Sequence, residues 1–382
     1  MQDAGDVNVV PNTASYNTLI SAFVRTANVE NRDHPLEAER ILLKMIDFRN
    51  QGNADIAPDQ RSFIHVMRSW SKTQRSNSAE RAEWWLGKMW EEYRETGNSN
   101  LRPNIGVYNA VMEAYFRRMQ LPSLTSQKNV RKLDQLLMEL LKFERNGDET
   151  LHANTASFTF AIRGWLKHEI DCCDGKELGS GCARALYWLD ELIAREEKGL
   201  PHATTAPELF EGILRSAHKA SKRSNPTRVS KSLFKTSLEC FTELRASRFK
   251  MTPTAYVCVL EIGLKTLSSP ADNSARSRFV RHLAKACKED GFVSDRFVSS
   301  LSNGRVWAEG WTAKNSLELT KELFTDCWPF PKTWSRNLNS RRSGELPTKK
   351  SLRRSRTLQV QVGEGHDSSR AKAAAHQSGD VP

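Results

Sequence analysis

Six basic residues recur along the chain at intervals of 45 to 52 residues. They are Arg25, Lys72, Arg117, Lys167, Lys219 and Lys265. Cations in register suit the phosphates of a single nucleic-acid strand, which follow one another along its backbone. Each cation alone also has a structural explanation, because the helix dipole stabilises a positive charge in the last turn by about 0.3–1 kcal/mol. The spacing therefore predicts either a ladder of phosphate-binding cations or a set of charge-stabilised helix ends.

The six cations occupy one position of a longer repeated pattern. Four clear repeats and two weaker ones begin, at position 0, with Pro11, Pro58, Pro103, Ala153, Thr205 and Met251. In the first four, position 5 is aromatic, positions 8 and 9 are apolar, position 11 is small, position 12 is aromatic and position 14 is basic. Positions 5, 8, 9 and 12 lie on one face of an α-helix. Each repeat therefore predicts an amphipathic helix whose end carries the cation.

A second amphipathic segment follows in each of these repeats, over residues 36–50, 79–95, 130–144 and 182–197. Glycines that suit helix ends come soon after, at Gly52, Gly97, Gly147 and Gly199. A helix pair of this kind cannot bury its apolar faces alone, whereas stacked pairs form a continuous core. The sequence predicts an all-α fold, an α-solenoid of about six helix-turn-helix repeats, with the loops between paired helices along one edge.

The predicted domain organisation is one repeat array with a short extension before it and two segments after it. The extension is 1–10, and the array is 11–292, divided into 11–57, 58–102, 103–152, 153–204, 205–250 and 251–292. Closing helices are expected over 293–331. The tail, 332–382, has 11 basic and 4 acidic residues and few apolar ones, which is typical of disorder. Its basic cluster predicts a nucleic-acid or localisation patch, or only a solubilising tail.

Composition and missing motifs argue against several classes of protein. The 382 residues carry a net charge of +12 and no run of apolar residues long enough to span a membrane. The seven cysteines form no CxxC pair, so we expect small buried core residues rather than disulfides or a zinc site. There is no glycine-rich phosphate loop, HExxH motif or nucleophile elbow. We expect a monomer that is not an enzyme and uses no cofactor or metal.

The repeated pattern resembles the pentatricopeptide repeat, although these units are longer than usual, as in members of the family from diatoms and related algae. The segments that carry the resemblance are Pro11–Asn17, Pro58–Phe63, Pro103–Asn109 and Ala153–Thr159. It extends over about residues 11–292. The resemblance implies a right-handed superhelix that binds single-stranded RNA in its groove without catalysis. It also implies a mitochondrial or plastid location and a role in RNA processing, stability or translation.

In that family, the residue after the position-5 aromatic reads a base together with a residue at the boundary to the next unit. The resemblance therefore implies base reading by Asn17 with Asp59, by Asn109 with Asn154, and by Thr159. It also implies that the position-14 cations contact the RNA backbone. The other units depart from the code, with Ile64, Glu211 and Val257. Short amides and hydroxyls can bond the edges of unstacked bases. For Asn17 and Asn109 the alternative is a bond to local backbone at a helix start.

Tryptophans allow two interpretations as well. Base stacking is conceivable, but the repeated pattern favours core packing for Trp70, Trp84, Trp85, Trp90, Trp165 and Trp188.

Two classes of function stay open from the sequence. The first is an RNA-binding adaptor, with other proteins of an RNA-processing or ribosomal assembly as further partners. The second is a protein-interaction solenoid that acts as an assembly scaffold. The first repeat begins ten residues after Met1, so the chain could be the truncated product of a longer gene. Basic pairs in the tail make a nuclear or cytoplasmic location the alternative to an organelle.

Overall fold

The structure, a computed structural model, describes residues 10–27, 33–73, 75–121, 126–148, 150–171, 178–223, 231–302 and 322–323. Within these residues the regular structure is entirely helical. The first helices of the six repeats are α1 (Thr13–Thr26), α3 (Gln60–Ser71), α5 (Ile105–Met119), α7 (Thr155–Asp171), α9 (Pro207–Arg223) and α11 (Pro253–Thr266). The second helices are α2 (His34–Asn50), α4 (Ser78–Thr96), α6 (Ser126–Arg145), α8 (Ser180–Glu197), α10 (Lys231–Ala246) and α12 (Asn273–Glu289). One short helix, α13 (Asp295–Ser302), follows the sixth repeat.

Helix stacking follows the order of the chain. Each first helix packs against the first helix of the next repeat, and each second helix from α2 to α10 packs against the first helices of its own and the next repeat. The predicted α-solenoid is therefore confirmed. The helix α13 lies in the segment expected to close the array and packs against α11. The predicted tail, 332–382, and most of 293–331 lie outside the described residues. No helix in the described ranges is both long and apolar enough for a membrane span.

The core consists of the positions that the pattern marked. Position 5 is fully buried as Phe63, Tyr108 and Phe158. Position 8 is buried as Val66 in the second repeat, but Leu19 in the first repeat is 48% exposed. The difference arises because α1 has no helix packed on that side within the described part of the chain.

A buried carboxylate on the second helix ties successive repeats together. Glu39 of α2 accepts hydrogen bonds from the indole nitrogens of Trp70 and Trp85 and from Arg81 of the next repeat. Asp134 of α6 does the same for the tryptophans at 165 and 188 and the arginine at 184. Glu83 of α4, in the same register, bonds the hydroxyl of the position-12 tyrosine and pairs with Lys132 at 2.9 Å. We call these three the acid nodes.

The acid nodes explain most of the tryptophans. Three of them, Trp70, Trp85 and Trp188, are at most 2% exposed, as predicted for core residues. Trp84 is 41% exposed, so the prediction of core packing was wrong for this residue. Its position on α4 points away from the first helices, and its ring rests edge-on against Trp85. Cysteines behave as expected where they are described, since Cys182, Cys240, Cys258 and Cys287 are buried; the remaining three lie outside the described residues.

Candidate nucleic-acid interface

The side of each first helix opposite the core is formed by positions 3, 6, 7, 10 and 14, which we call the first-helix face. In the first four repeats this face carries seven cations and one carboxylate, Glu113. The cations are Arg25, Arg61, Arg68, Lys72, Arg117, Arg163 and Lys167. In the last two repeats it carries three cations and three carboxylates. Positive charge is therefore concentrated on α1, α3, α5 and α7.

Three of the arginines act electrostatically on one histidine. Partial burial, together with the charges of Arg68, Arg61 and Arg25, lowers the pKa of His65 below its usual 6.5. The imidazole is therefore mostly neutral at pH 7. Arg25, on α1, is close enough to affect a residue of α3, so cations of the first and second repeats lie near one another.

Two of the six ladder cations, Lys72 and Lys265, bond the main chain of the preceding repeat. The ammonium group of Lys72 donates to the carbonyl of Val24 at 2.8 Å, in the last turn of α1. Lys265 donates to the carbonyl of Ser221 in the last turn of α9. Helix carbonyl ends carry partial negative charge. Lys72 and Lys265 therefore fit the alternative of charge-stabilised helix ends. Each stabilises the end of the preceding first helix as well as the end of its own helix.

The other four ladder cations are less constrained. Arg117 pairs with Glu113 at 2.7 Å and Lys167 with Asp171 at 2.8 Å, both within one helix. Arg25 is exposed and has no ion-pair partner within the described ranges; the same is true of Lys219. These four cations are therefore accessible to a ligand. Arg117 and Lys167 would first have to give up an ion pair that contributes little to stability in water.

The first predicted base-reading pair lies together at the junction of repeats one and two. Asn17 Nδ2 donates to Asp59 Oδ1 at 3.0 Å, and Ser62 Oγ donates to Asn17 Oδ1 at 2.6 Å. Asn17 is only 9% exposed. One amide hydrogen of Asn17 and the second carboxylate oxygen of Asp59 have no hydrogen-bond partner among the described residues. The pair therefore retains one donor and one acceptor.

The second pair repeats this arrangement two repeats later. Asn109 Nδ2 donates to Asn154 Oδ1 at 3.2 Å, and Ser157 Oγ donates to Asn109 Oδ1 at 2.8 Å. Asn109 is partly exposed. Thr159, the third predicted reader, donates instead to the carbonyl of Thr155 in its own helix at 2.7 Å. Base reading stays a prediction for all five residues.

Sequence reasoning missed the structural role of the boundary residues. Asp59 is the N-cap of α3, where its carboxylate accepts from the amide of Ser62 at 2.9 Å and the Ser62 hydroxyl bonds back. Asn154 and Ser157 make the same contacts at the start of α7. The signal was present, because Asp and Asn are preferred N-cap residues and both stand directly before a predicted helix.

The units that depart from the code present different chemistry at position 6. Glu211 pairs with Arg215 in the same helix, and Val257 is 2% exposed. Neither side chain is available to a base edge in the way that an amide would be. The predicted position-6 readers therefore lie in the first, third and fourth repeats, within the part of the array that carries the positive charge.

Comparison with known proteins adds little to what the helices themselves show. No family model matches the sequence, and no curated protein matches it. Among solved structures, the chain is similar to the crystal structure of the pentatricopeptide repeat protein PPR10 from maize, with a TM-score of 0.38 and 13% identity. The match covers 90% of this chain and 46% of the maize chain, so this chain spans about half of that protein's length. The assignment as an α-solenoid rests on the helices themselves.

Proposed function

We propose that the chain is a non-catalytic, pentatricopeptide-like protein that binds single-stranded RNA along the first-helix face of its first four repeats. The observation that carries the proposal is the concentration of seven cations against one carboxylate on that face. Four of them are exposed arginines whose guanidinium groups have no partner among the described residues. They are Arg25, Arg61, Arg68 and Arg163.

Phosphate contacts supply the affinity in this proposal. Each cation that neutralises a phosphate releases condensed counterions, which favours binding at low salt regardless of sequence. The face is not interrupted by an unpaired carboxylate, because Glu113 already pairs with Arg117. A single strand therefore meets positive charge on α1, α3 and α7, a neutral ion pair on α5 between them, and a neutral face beyond α7.

The two amide-containing pairs supply the limited sequence preference. Uracil presents an N–H donor flanked by two carbonyl acceptors on its exposed edge. The free amide hydrogen of Asn17 and the free oxygen of Asp59 complement that pattern. Asn109 with Asn154 offers amides only, which accept and donate more broadly. A preference for pyrimidines at two positions follows, rather than a long specific footprint.

Crosslinking tests the proposal directly. Single-stranded RNA that contains 4-thiouridine is bound to the full chain, irradiated, and the crosslinked peptides are identified by mass spectrometry. Crosslinks in α1, α3, α5 and α7 are expected. Crosslinks confined to 332–382 would contradict the proposal, since they would assign RNA binding to the basic tail.

A mitochondrial or plastid location and a role in organellar RNA processing belong to the same proposal. They rest on the resemblance of the repeats alone. The location is tested by imaging the tagged product of the natural gene in its own cells, where a diffuse nuclear or cytoplasmic signal would contradict it.

A further inference from the structure

Four large apolar side chains lie exposed on the outer surface of the second helices. Leu43 is 46% exposed, Trp84 41%, Met138 49% and Tyr187 51%. They make up most of the large apolar side chains that are exposed in the described part of the chain. None of the four lies on the first-helix face. The RNA-binding proposal leaves this surface unexplained.

These four residues form two equivalent sets. Counted from the acid nodes, Leu43 of α2 has the register of Met138 of α6. Counted from the arginines that bond the nodes, Arg81 and Arg184, Trp84 of α4 has the register of Tyr187 of α8. Each set thus has an aliphatic or thioether side chain from one repeat and an aromatic ring from the next. In the repeat pair between them, the same registers hold Gly87 and Gln135. We call the two sets the outer anchors.

An arginine holds the aromatic ring of each anchor in place. The guanidinium carbon of Arg81 lies 4.2 Å from the centre of the Trp84 ring, while its nitrogens bond Glu39 at 2.7 and 2.9 Å. Arg184 lies 4.7 Å from the Tyr187 ring and bonds an acid node in the same way. Arg184 also lies 3.8 Å from the sulfur of Met138, which joins the two halves of that anchor. Rings that are already fixed lose little conformational entropy when a partner covers them.

Between the two anchors lie three cations and the two carboxylates that pair with two of them, which leaves one uncompensated positive charge; we call this surface the basic strip. Cations of α6 line a surface depression there, namely Lys128, Arg131 and Lys132, together with two glutamines. Lys128 and Lys132 pair with carboxylates of α4 at 3.1 and 2.9 Å. Arg131 is exposed and has no ion-pair partner within the described ranges. A ligand that fits this strip must bring negative charge to its centre and apolar groups to its ends.

We propose that the outer anchors and the basic strip between them form a docking site for an acidic polypeptide segment with an apolar side chain at each end. Packed helices lie about 8–10 Å apart, so anchors two repeats apart are separated by roughly 20 Å. A helical segment spans that distance with about 13 residues. Trp, Tyr, Met and Arg are the side chains enriched at protein interfaces. RNA is the less suitable ligand, because Leu43 and Met138 offer nothing to a base edge and the guanidinium groups already cover one face of each ring.

The test uses a phage-displayed library of random 16-residue peptides, selected on the full chain and counter-selected on the double variant Trp84→Ser/Tyr187→Ser. Both side chains are exposed, and the acid-node contacts of Arg81 and Arg184 stay in place, so this variant is expected to fold. The selected peptides should be acidic, with apolar residues toward both ends. As synthetic peptides they should lose at least tenfold in affinity for the double variant. A second variant, Leu43→Lys/Met138→Lys, should show a similar loss without touching either aromatic ring.

The matched control is Leu19→Ser/Leu200→Ser, which removes exposed leucines elsewhere on the chain. It should leave peptide affinity unchanged. The proposal is overturned if no selected peptide distinguishes the wild type from the two anchor variants, or if the selected peptides are basic. It is also overturned if the anchor variants lose RNA affinity, which would assign the outer surface to nucleic acid. If the wild type and all of these variants alike fail to bind RNA, the result counts against the RNA-binding proposal and not against the docking site.

Discussion

Asn17 donates a hydrogen bond to Asp59, 42 residues further along the chain, at a distance of 3.0 Å. The contact joins the first helices of two successive repeats, and the same carboxylate caps the second of those helices. A residue predicted to read a base is therefore also a structural residue. The same arrangement at Asn109 and Asn154 shows that it belongs to the repeat and not to one position.

The two roles of Asp59 can be separated by substitution. Asp59→Ala removes the N-cap of α3 and the partner of Asn17, so the free energy of unfolding should fall by about 1–2 kcal/mol. Asp59→Asn keeps a capping side chain, so the free energy of unfolding should fall by only a few tenths of a kcal/mol. Because its amide offers uracil a donor where an acceptor is needed, Asp59→Asn should nevertheless weaken binding to oligouridine. Urea denaturation and RNA titration of both variants measure the two effects. Equal losses of stability would contradict the capping role.

The acid node Glu39 should matter far more than a surface carboxylate. Glu39→Ala would leave Arg81 and two buried indole N–H groups without their acceptor. A loss of about 2–4 kcal/mol in the free energy of unfolding is expected. The control is Glu37→Ala, in the same helix, whose exposed pair with Arg40 should contribute less than about 0.5 kcal/mol. Similar values for the two variants would show that the node does not hold the repeats together.

Two glycines inside helices should respond to alanine in opposite ways. A β-carbon at Gly263 would overlap the ring of Phe279, whereas one at Gly87 would meet nothing within 4 Å. Gly87→Ala should stabilise the chain by about 0.5–1 kcal/mol through helix propensity. Gly263→Ala should destabilise it by about 1–2 kcal/mol, because the clash outweighs the same gain. Thermal and urea denaturation compare them, and stabilisation by both variants would mean that α11 and α12 are not packed this closely.

One carboxyl should make stability depend on pH near neutrality. Burial and the neighbouring Asp190 carboxyl raise the pKa of Glu243 from 4.5 to about 7. The folded chain then binds this proton more tightly than the unfolded chain does. Its contribution to stability is present below about pH 4.5 and is lost as the pH rises through about 7. Glu243→Gln should therefore flatten the decline in stability between about pH 5 and pH 8.

The measurement is the free energy of unfolding in urea at several pH values across that range. The control is Glu95→Gln, at an exposed helix position, which should leave the pH dependence as in the wild type. A decline of the same steepness in the Glu243→Gln variant would show that this carboxyl is not the titrating group.

The fold was predictable because its signals are periodic. Apolar residues at positions 5, 8, 9 and 12 fix one helix face, and glycines such as Gly97, which has a positive φ of 65°, mark the ends of second helices. The exposure of the Trp84 side chain was not predictable in the same way. Its neighbour Trp85 is buried, and only the rotation of α4 against the first helices decides which of the two faces solvent.

The candidate interface was predictable only in outline. The position-14 ladder is visible in the sequence, but the contact of Lys72 with the carbonyl of Val24 depends on how far α3 is shifted along α1. The additional cations Arg61, Arg68 and Arg163 lie at positions that the repeated pattern does not conserve from unit to unit. Their place on the same face as the ladder becomes clear only when the helices are stacked.

The central claim is tested most directly by the salt dependence of binding to random single-stranded RNA. The variant removes the four arginines of the first-helix face that have no partner among the described residues, as Arg25→Gln, Arg61→Gln, Arg68→Gln and Arg163→Gln. The control removes four exposed cations from the second helices of the last two repeats, as Lys231→Gln, Lys235→Gln, Arg278→Gln and Lys285→Gln, and so has the same net charge.

We expect the plot of log affinity against log salt to become shallower by about 3 units in the first variant, at about 0.7 per phosphate contact, and to stay unchanged in the control. Equal changes in slope in both variants would show that binding depends on net charge and not on the first-helix face. Unchanged slopes in both, with binding lost on deletion of 332–382, would contradict an RNA-binding first-helix face.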